Sequence, residues 1–161
     1  MTYSSLENTK YYSSLNRKKI KILMRPCYDI GLQNRIFELQ DLRAEHWQYP
    51  LYQLRSIAQS QGVEIDTWDM YPLSEAELIL VQDLPAKKEE IIKAKKQAPN
   101  TPFVLLLYES PLDRTHFYEP TNHDLFDAVI TFNHHLADEK KIFSLSTTHR
   151  YTKLFTIFHF F

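Results

Sequence analysis

A chain of 161 residues with 43% hydrophobic and 24% charged content is long enough for one packed domain and too apolar to be disordered throughout. Its formal net charge of -1 supplies no basic excess for holding nucleic acid or an anionic membrane. A single cysteine, Cys27, excludes an intramolecular disulfide and a multi-cysteine metal site, and it fits a reduced, cytoplasmic protein.

The opening stretch MTYSSLENTKYYSSLNRKK has neither a hydrophobic period nor the apolar centre of a signal peptide. Residues 1–17 are therefore expected to form a flexible arm, with an α/β domain over 18–143 and an atypical tail over 144–161. No run approaches the roughly 18 apolar residues that a membrane span needs. IKILM, Ile20 to Met24, reads as a strand ended by Arg25-Pro26, since proline cannot donate to a ladder. After Pro50, Leu51, Leu54, Ile57 and Ala58 share one helical face, and Gly62 lies just past its end. VEIDTW, Val63 to Trp68, alternates as a strand, and ELILVQD, Glu77 to Asp83, is a compact apolar run closed by Pro85. A second helix is expected over Lys87 to Gln97, stopped by Pro99 and Asn100. FVLLLY, Phe103 to Tyr108, is the most apolar strand, and DAVITF, Asp127 to Phe132, is the last clear one. Strands separated by helices imply parallel crossovers, hence a three-layer α/β sandwich around a mostly parallel open sheet. Ligands of such sheets gather at the carboxyl ends of the strands, here the loops after Met24, Trp68, Val81, Tyr108 and Phe132.

Two common occupants of that edge fail on residue types. With only Gly31 and Gly62 there is no dinucleotide fingerprint, so no nucleotide cofactor site of that kind is expected. A phosphoacceptor domain would need an acidic pair after the first strand and a lysine after the fifth, where Arg25-Pro26-Cys27 and Thr131-Phe132 stand. His116, His123, His134 and His135 fit no zinc spacing, and no metal is expected. The lysines between Lys87 and Lys96 have acidic neighbours, as on a solvated helix face.

LLLYESP, Leu105 to Pro111, carries an apolar strand straight into Glu109. On one reading Glu109 is the polar step out of the core, with Ser110 capping a helix that opens on Pro111. On the other, the rigid edge presents Glu109 as a general base. Of the aromatic residues able to stack on a sugar face, Trp68 and Phe117 lie in strand-end loops, with Tyr28, Trp47 and Tyr118 as further candidates. Asp29, Asp69 and Asp113 are candidates for hydrogen bonds to sugar hydroxyls or for turn and capping roles.

The segments PFVLLLYESP and HDLFDAVITFNHHLAD, with AELILVQ and KIKILM before them, resemble the amino-terminal half of the α-1,3/1,4-fucosyltransferases, glycosyltransferase family 10. The likeness centres on Glu109, Ser110 and Pro111 with Phe126, Asp127, Thr131 and Asn133, and it covers most of 18–143. It implies one half of a two-domain GT-B fold and transfer of L-fucose from GDP-fucose to an N-acetylglucosamine or glucose hydroxyl of an oligosaccharide acceptor. Inversion at the anomeric carbon then requires a base opposite the leaving diphosphate, and Glu109 matches the family's base. No metal is required by that chemistry.

The tail SLSTTHRYTKLFTIFHFF does not resemble the family's linker to a GDP-fucose-binding domain, which suggests truncation or a shifted reading frame. The isolated chain is then expected to be catalytically silent, with GDP-fucose as a partner only if a donor-binding domain is supplied. The tail's β-forming LFTIFHFF is expected to pair with a sheet edge, as in a homodimer, or to promote aggregation. The alternative is a stand-alone α/β module acting in self-association or weak saccharide binding.

Overall fold

The computed structural model describes residues 19–38, 48–84, 88–138 and 140–144. The arm expected over 1–17, Trp47, and the tail beyond Ser144 lie outside the described residues. Six strands form one sheet: β1 (Ile20–Arg25), β2 (Val63–Thr67), β3 (Leu78–Gln82), β4 (Phe103–Leu107), β5 (Ala128–Thr131) and β6 (Ile142–Ser144). Their spatial order is β2-β1-β3-β4-β5-β6, and every neighbouring pair is parallel. The protein is thus an α/β domain built on an open, all-parallel sheet.

Every residue of β3, β4 and β5 is buried, which explains why these strands read as unbroken apolar runs. Alternate residues supply two cores. Ile22, Met24, Leu80, Leu106 and Ile130 face the layer that contains helix α1 (Tyr49–Ser60), which contributes Leu51, Leu54 and Ala58. Leu23, Ile79, Val81, Leu105 and Val129 face the opposite layer, where helix α2 (Lys88–Gln97) contributes Ile91 and Ala94. Pro50 starts α1, and Gly62 follows it with φ +79°, a left-handed conformation that costs a glycine nothing. Helix α2 places Glu89 and Glu90 in its first turn and Lys95 and Lys96 in its last, the arrangement its dipole favours.

The long helices cross after β1 and β3 only. The β2–β3 connection carries a single 3-10 turn, Leu73–Glu75, and the β4–β5 connection carries a 3-10 turn, Thr115–Tyr118, and the short helix α3 (Pro120–His123). Strand β6 extends the sheet past the last strand expected from sequence. Its three residues are too few to show a period, and Asp138 organises the turn before it by accepting the N–H groups of Lys140, Lys141 and Ile142. Those bonds hold the Asp138 carboxyl down at about 2.

The loop after β1 is packed tightly where Gly31 ends a 3-10 turn (Asp29–Gly31). A Cβ there would lie 2.9 Å from the Pro26 Cβ and 3.2 Å from the Ile36 Cβ. Gly31→Ala is therefore expected to cost about 1–3 kcal/mol through overpacking, read as a lower urea midpoint at unchanged slope.

Candidate functional site

The strand order makes a crevice. β1 has β2 on one side and β3 on the other, and the chain leaves β1 toward the α1 layer but leaves β3 toward the α2 layer. Connections that diverge to opposite faces open a hollow at the carboxyl ends of the strands. The residues at this point are Arg25, which ends β1, Pro26 to Tyr28 after it, Asp83 and Leu84 after β3, and Tyr108 and Glu109 after β4.

Asp83 organises the rim. It is 1% exposed and holds φ +51°, a left-handed conformation that aspartate tolerates better than most residues. Its N–H donates to the Leu106 carbonyl at 2.8 Å, which continues the β3–β4 ladder by one step. Its Oδ1 then accepts the N–H groups of Tyr108 at 2.8 Å and of Glu109 at 3.1 Å. The second oxygen, Oδ2, is buried without a hydrogen-bond partner. Burial pushes the carboxyl up to about 6, against the pull of the Glu109 and Tyr108 amides.

Glu109 is consequently clamped on both sides of its backbone, because the Tyr118 hydroxyl donates to its carbonyl at 2.6 Å. Its half-buried side chain lies close enough to raise the protonation range of both Cys27 and Asp83. Ser110 does not cap a long helix. Its Oγ accepts the Leu112 N–H at 3.2 Å and forms a local turn, after which the chain passes into the 3-10 turn at Thr115. Cys27 is pushed up to about 11, first by burial and then by the charge of Asp83, so its thiol stays protonated at neutral pH and is no nucleophile.

No family model, curated protein or solved structure matches this chain significantly. Its chemistry therefore has to be read from the rim itself.

Tyr28 and Phe117 come together in the wall of a hollow of about 240 Å³; Glu109 is not among the wall residues of this hollow or of the two described next. Tyr28 is exposed there, whereas Phe117 is 5% exposed and belongs to the core of the α2 layer. Tyr28 also borders a second hollow, of about 570 Å³, with Asp29, whose carboxylate pairs with Arg25 at 2.7 Å. Arg25 is almost fully buried and binds Glu90 of α2 through two bonds of 3.1 Å, with the Trp68 ring 5.3 Å away. Trp68 and Asp69 border a third hollow, of about 290 Å³, and the Asp69 carboxylate accepts the Gln33 N–H at 2.9 Å. Asp113 is exposed in the turn after Pro111 and borders none of the three. Among the described residues no three of His, Cys, Asp and Glu converge as metal ligands. None of the described helices is long and apolar enough to cross a membrane.

Sequence reasoning overlooked Asp83, Arg114 and Asn122. Asp83 closes VQDLP at a strand end, which was the available signal. It also stands where a phosphoacceptor aspartate would, but Oδ1 is committed to two amides and Arg25-Pro26-Cys27 supplies no acidic pair.

Proposed function

We propose that this domain is the acceptor-side half of an inverting fucosyltransferase, with Glu109 as the base that deprotonates the acceptor hydroxyl. The observation that carries the reading is the two-sided clamp on the Glu109 backbone, which fixes where its side chain departs from the carboxyl rim of a rigid parallel sheet. A base in a single displacement must meet the hydroxyl on the face opposite the leaving diphosphate, and held geometry is worth more there than basicity alone. A carboxylate on that face also favours the positive charge that spreads over the sugar ring in the transition state. Tyr28, in the loop after β1, offers an exposed ring on which an oligosaccharide acceptor would stack. On this proposal GDP-fucose is held by a separate donor-binding domain, and the protein works in the reduced cytoplasm, in keeping with the free Cys27 thiol.

Titration with N-acetyllactosamine, followed by tryptophan fluorescence, tests the acceptor side. Saturable binding that weakens in Tyr28→Ala is expected, and a flat response at millimolar acceptor overturns the proposal. With GDP-fucose and acceptor the chain alone should give no turnover above the uncatalysed rate. Once a donor-binding domain is supplied, Glu109→Gln should lower kcat by about 100-fold or more with acceptor affinity unchanged.

A further inference from the structure

A buried charge is costly without a partner, and one carboxyl at the rim lacks one. Asp83 is almost wholly buried, its Oδ2 has no hydrogen-bond partner, and no described cation forms an ion pair with it. Titratable and charged groups face it from three segments: the Cys27 thiol after β1, the like charge of Glu109 after β4, and the Arg114 guanidinium and Tyr118 hydroxyl of the β4–β5 connection. Lys88, at the start of α2, and His116 are exposed and border the hollow that Cys27 and Arg114 share. Arg114 is the group whose charge opposes that of Asp83, yet it donates through Nη2 to the Tyr28 hydroxyl at 3.0 Å and pairs with no described carboxylate.

The same carboxyl holds the rim together. Its Oδ1 accepts two successive amides, of Tyr108 and Glu109, just where β4 has ended. Beyond them the chain runs in turns as far as Tyr118, with Leu112 fully in solvent. Hydrogen bonds from Tyr118 to the Glu109 carbonyl and from Arg114 to Tyr28 tie this segment down. A stretch held by a few side-chain bonds opens more readily than the ladders beside it.

We infer that Asp83 is a proton-operated latch: as the neutral acid it holds the 108–118 segment, with Glu109 on it, against the end of β3, and as the carboxylate it releases that segment to solvent. The ionised form places charge on an oxygen that is shut away from water and from any described cation, and lifting the segment lets water in. The carboxyl titrates near 3.8 in water and near 6 when latched, so opening is favoured as pH rises through that interval, by about 100-fold at most. The latch needs no ligand, so a failed acceptor titration leaves it standing. On the fucosyltransferase reading, the segment it frees is the one that carries the base.

Amide hydrogen exchange of the full chain, followed by NMR from pH 4.5 to 7.5 and divided by the intrinsic rate at each pH, tests it. The Tyr108 and Glu109 amides should exchange about tenfold or more faster at pH 7.5 than at pH 4.5. They should also exchange faster than the ladder amides of β4 and be indifferent to urea below the unfolding transition, as a local opening is. In Asp83→Asn both amides should keep one rate at every pH. His116→Gln, an exposed change beside the hollow, should behave as the wild type. Four results overturn the inference: wild-type rates that do not change with pH, exchange that occurs only together with the β4 ladder, a pH response that survives in Asp83→Asn, or one that is lost in His116→Gln. If Asp83→Asn fails to fold, the other three decide.

Discussion

Replacing Asp83 with asparagine should stabilise the protein at pH 7–8 by about 1–3 kcal/mol and abolish a loss of stability that the wild type suffers between about pH 4 and 6. The sign follows from the direction of the shift. The carboxyl titrates near 3.8 when free and near 6 in the folded protein, so across that interval the folded state binds more protons than the unfolded state. Stability therefore falls as pH rises through the window and stays low above it. The interval corresponds to about 3 kcal/mol at most, reduced in the variant by the new amide group that replaces the orphaned Oδ2. Asparagine keeps the acceptor for Tyr108 and Glu109 and tolerates the left-handed backbone. Asp83→Ala keeps neither advantage and should cost about 2–4 kcal/mol at pH 5, where the wild type is mostly protonated. Urea midpoints measured across pH 4–8 check all three proteins. A pH 4–6 slope that persists in Asp83→Asn would show that another group titrates there.

Asn34 should be the second most sensitive position outside the cores, with Asn34→Ala costing about 2–4 kcal/mol. It holds φ +62°, and its side chain joins the loop after β1 to the end of β2. Nδ2 donates to Asp66 Oδ1 at 2.8 Å, Oδ1 accepts the Thr67 N–H at 2.7 Å, and the Asn34 N–H donates to Thr67 Oγ1 at 2.9 Å. Asp66 and Thr67 are both buried, and Asp66 also pairs with Arg55 of α1, so alanine would leave buried polar groups without partners. Asn34→Gly relieves the backbone but not those losses, and its cost should be the smaller. Asn34→Asp sets a second carboxylate against Asp66 and should be destabilising at pH 7 and recover in acid. The clip also anchors the loop that carries Tyr28, so Asn34→Gly should loosen ligand binding at the rim as well as lower the unfolding midpoint. Chemical denaturation and ligand titration on the same samples measure both.

The layered sheet was legible because β3, β4 and β5 are covered on both faces and must be apolar at every position. Helix α1 announced itself through Leu51, Leu54 and Ala58 between Pro50 and Gly62. Strand β6 was hidden by its shortness, and the β2–β3 and β4–β5 connections by turns that have no period. The position of Glu109 at a strand end was legible for the same reason as the strand. What holds it there was not, because Asp83 lies 25 residues from Tyr108, and Arg114 reaches Tyr28 across 86. Residue type and local spacing carry no trace of such pairs. Buried polar atoms left without partners, at Asp83 and Asn122, became visible only once the chain was folded.

A sheet in which every neighbouring pair is parallel contains no hairpin. Each ladder has to wait until an intervening crossover has closed, and the entropy of closure is lost before any pairing rewards it. Such a chain is expected to reach its native state slowly, over milliseconds to seconds, and to expose the apolar runs of β3 and β4 while it does so. Crowding, temperature and synthesis rate would then govern the yield of folded protein more strongly than its final stability does.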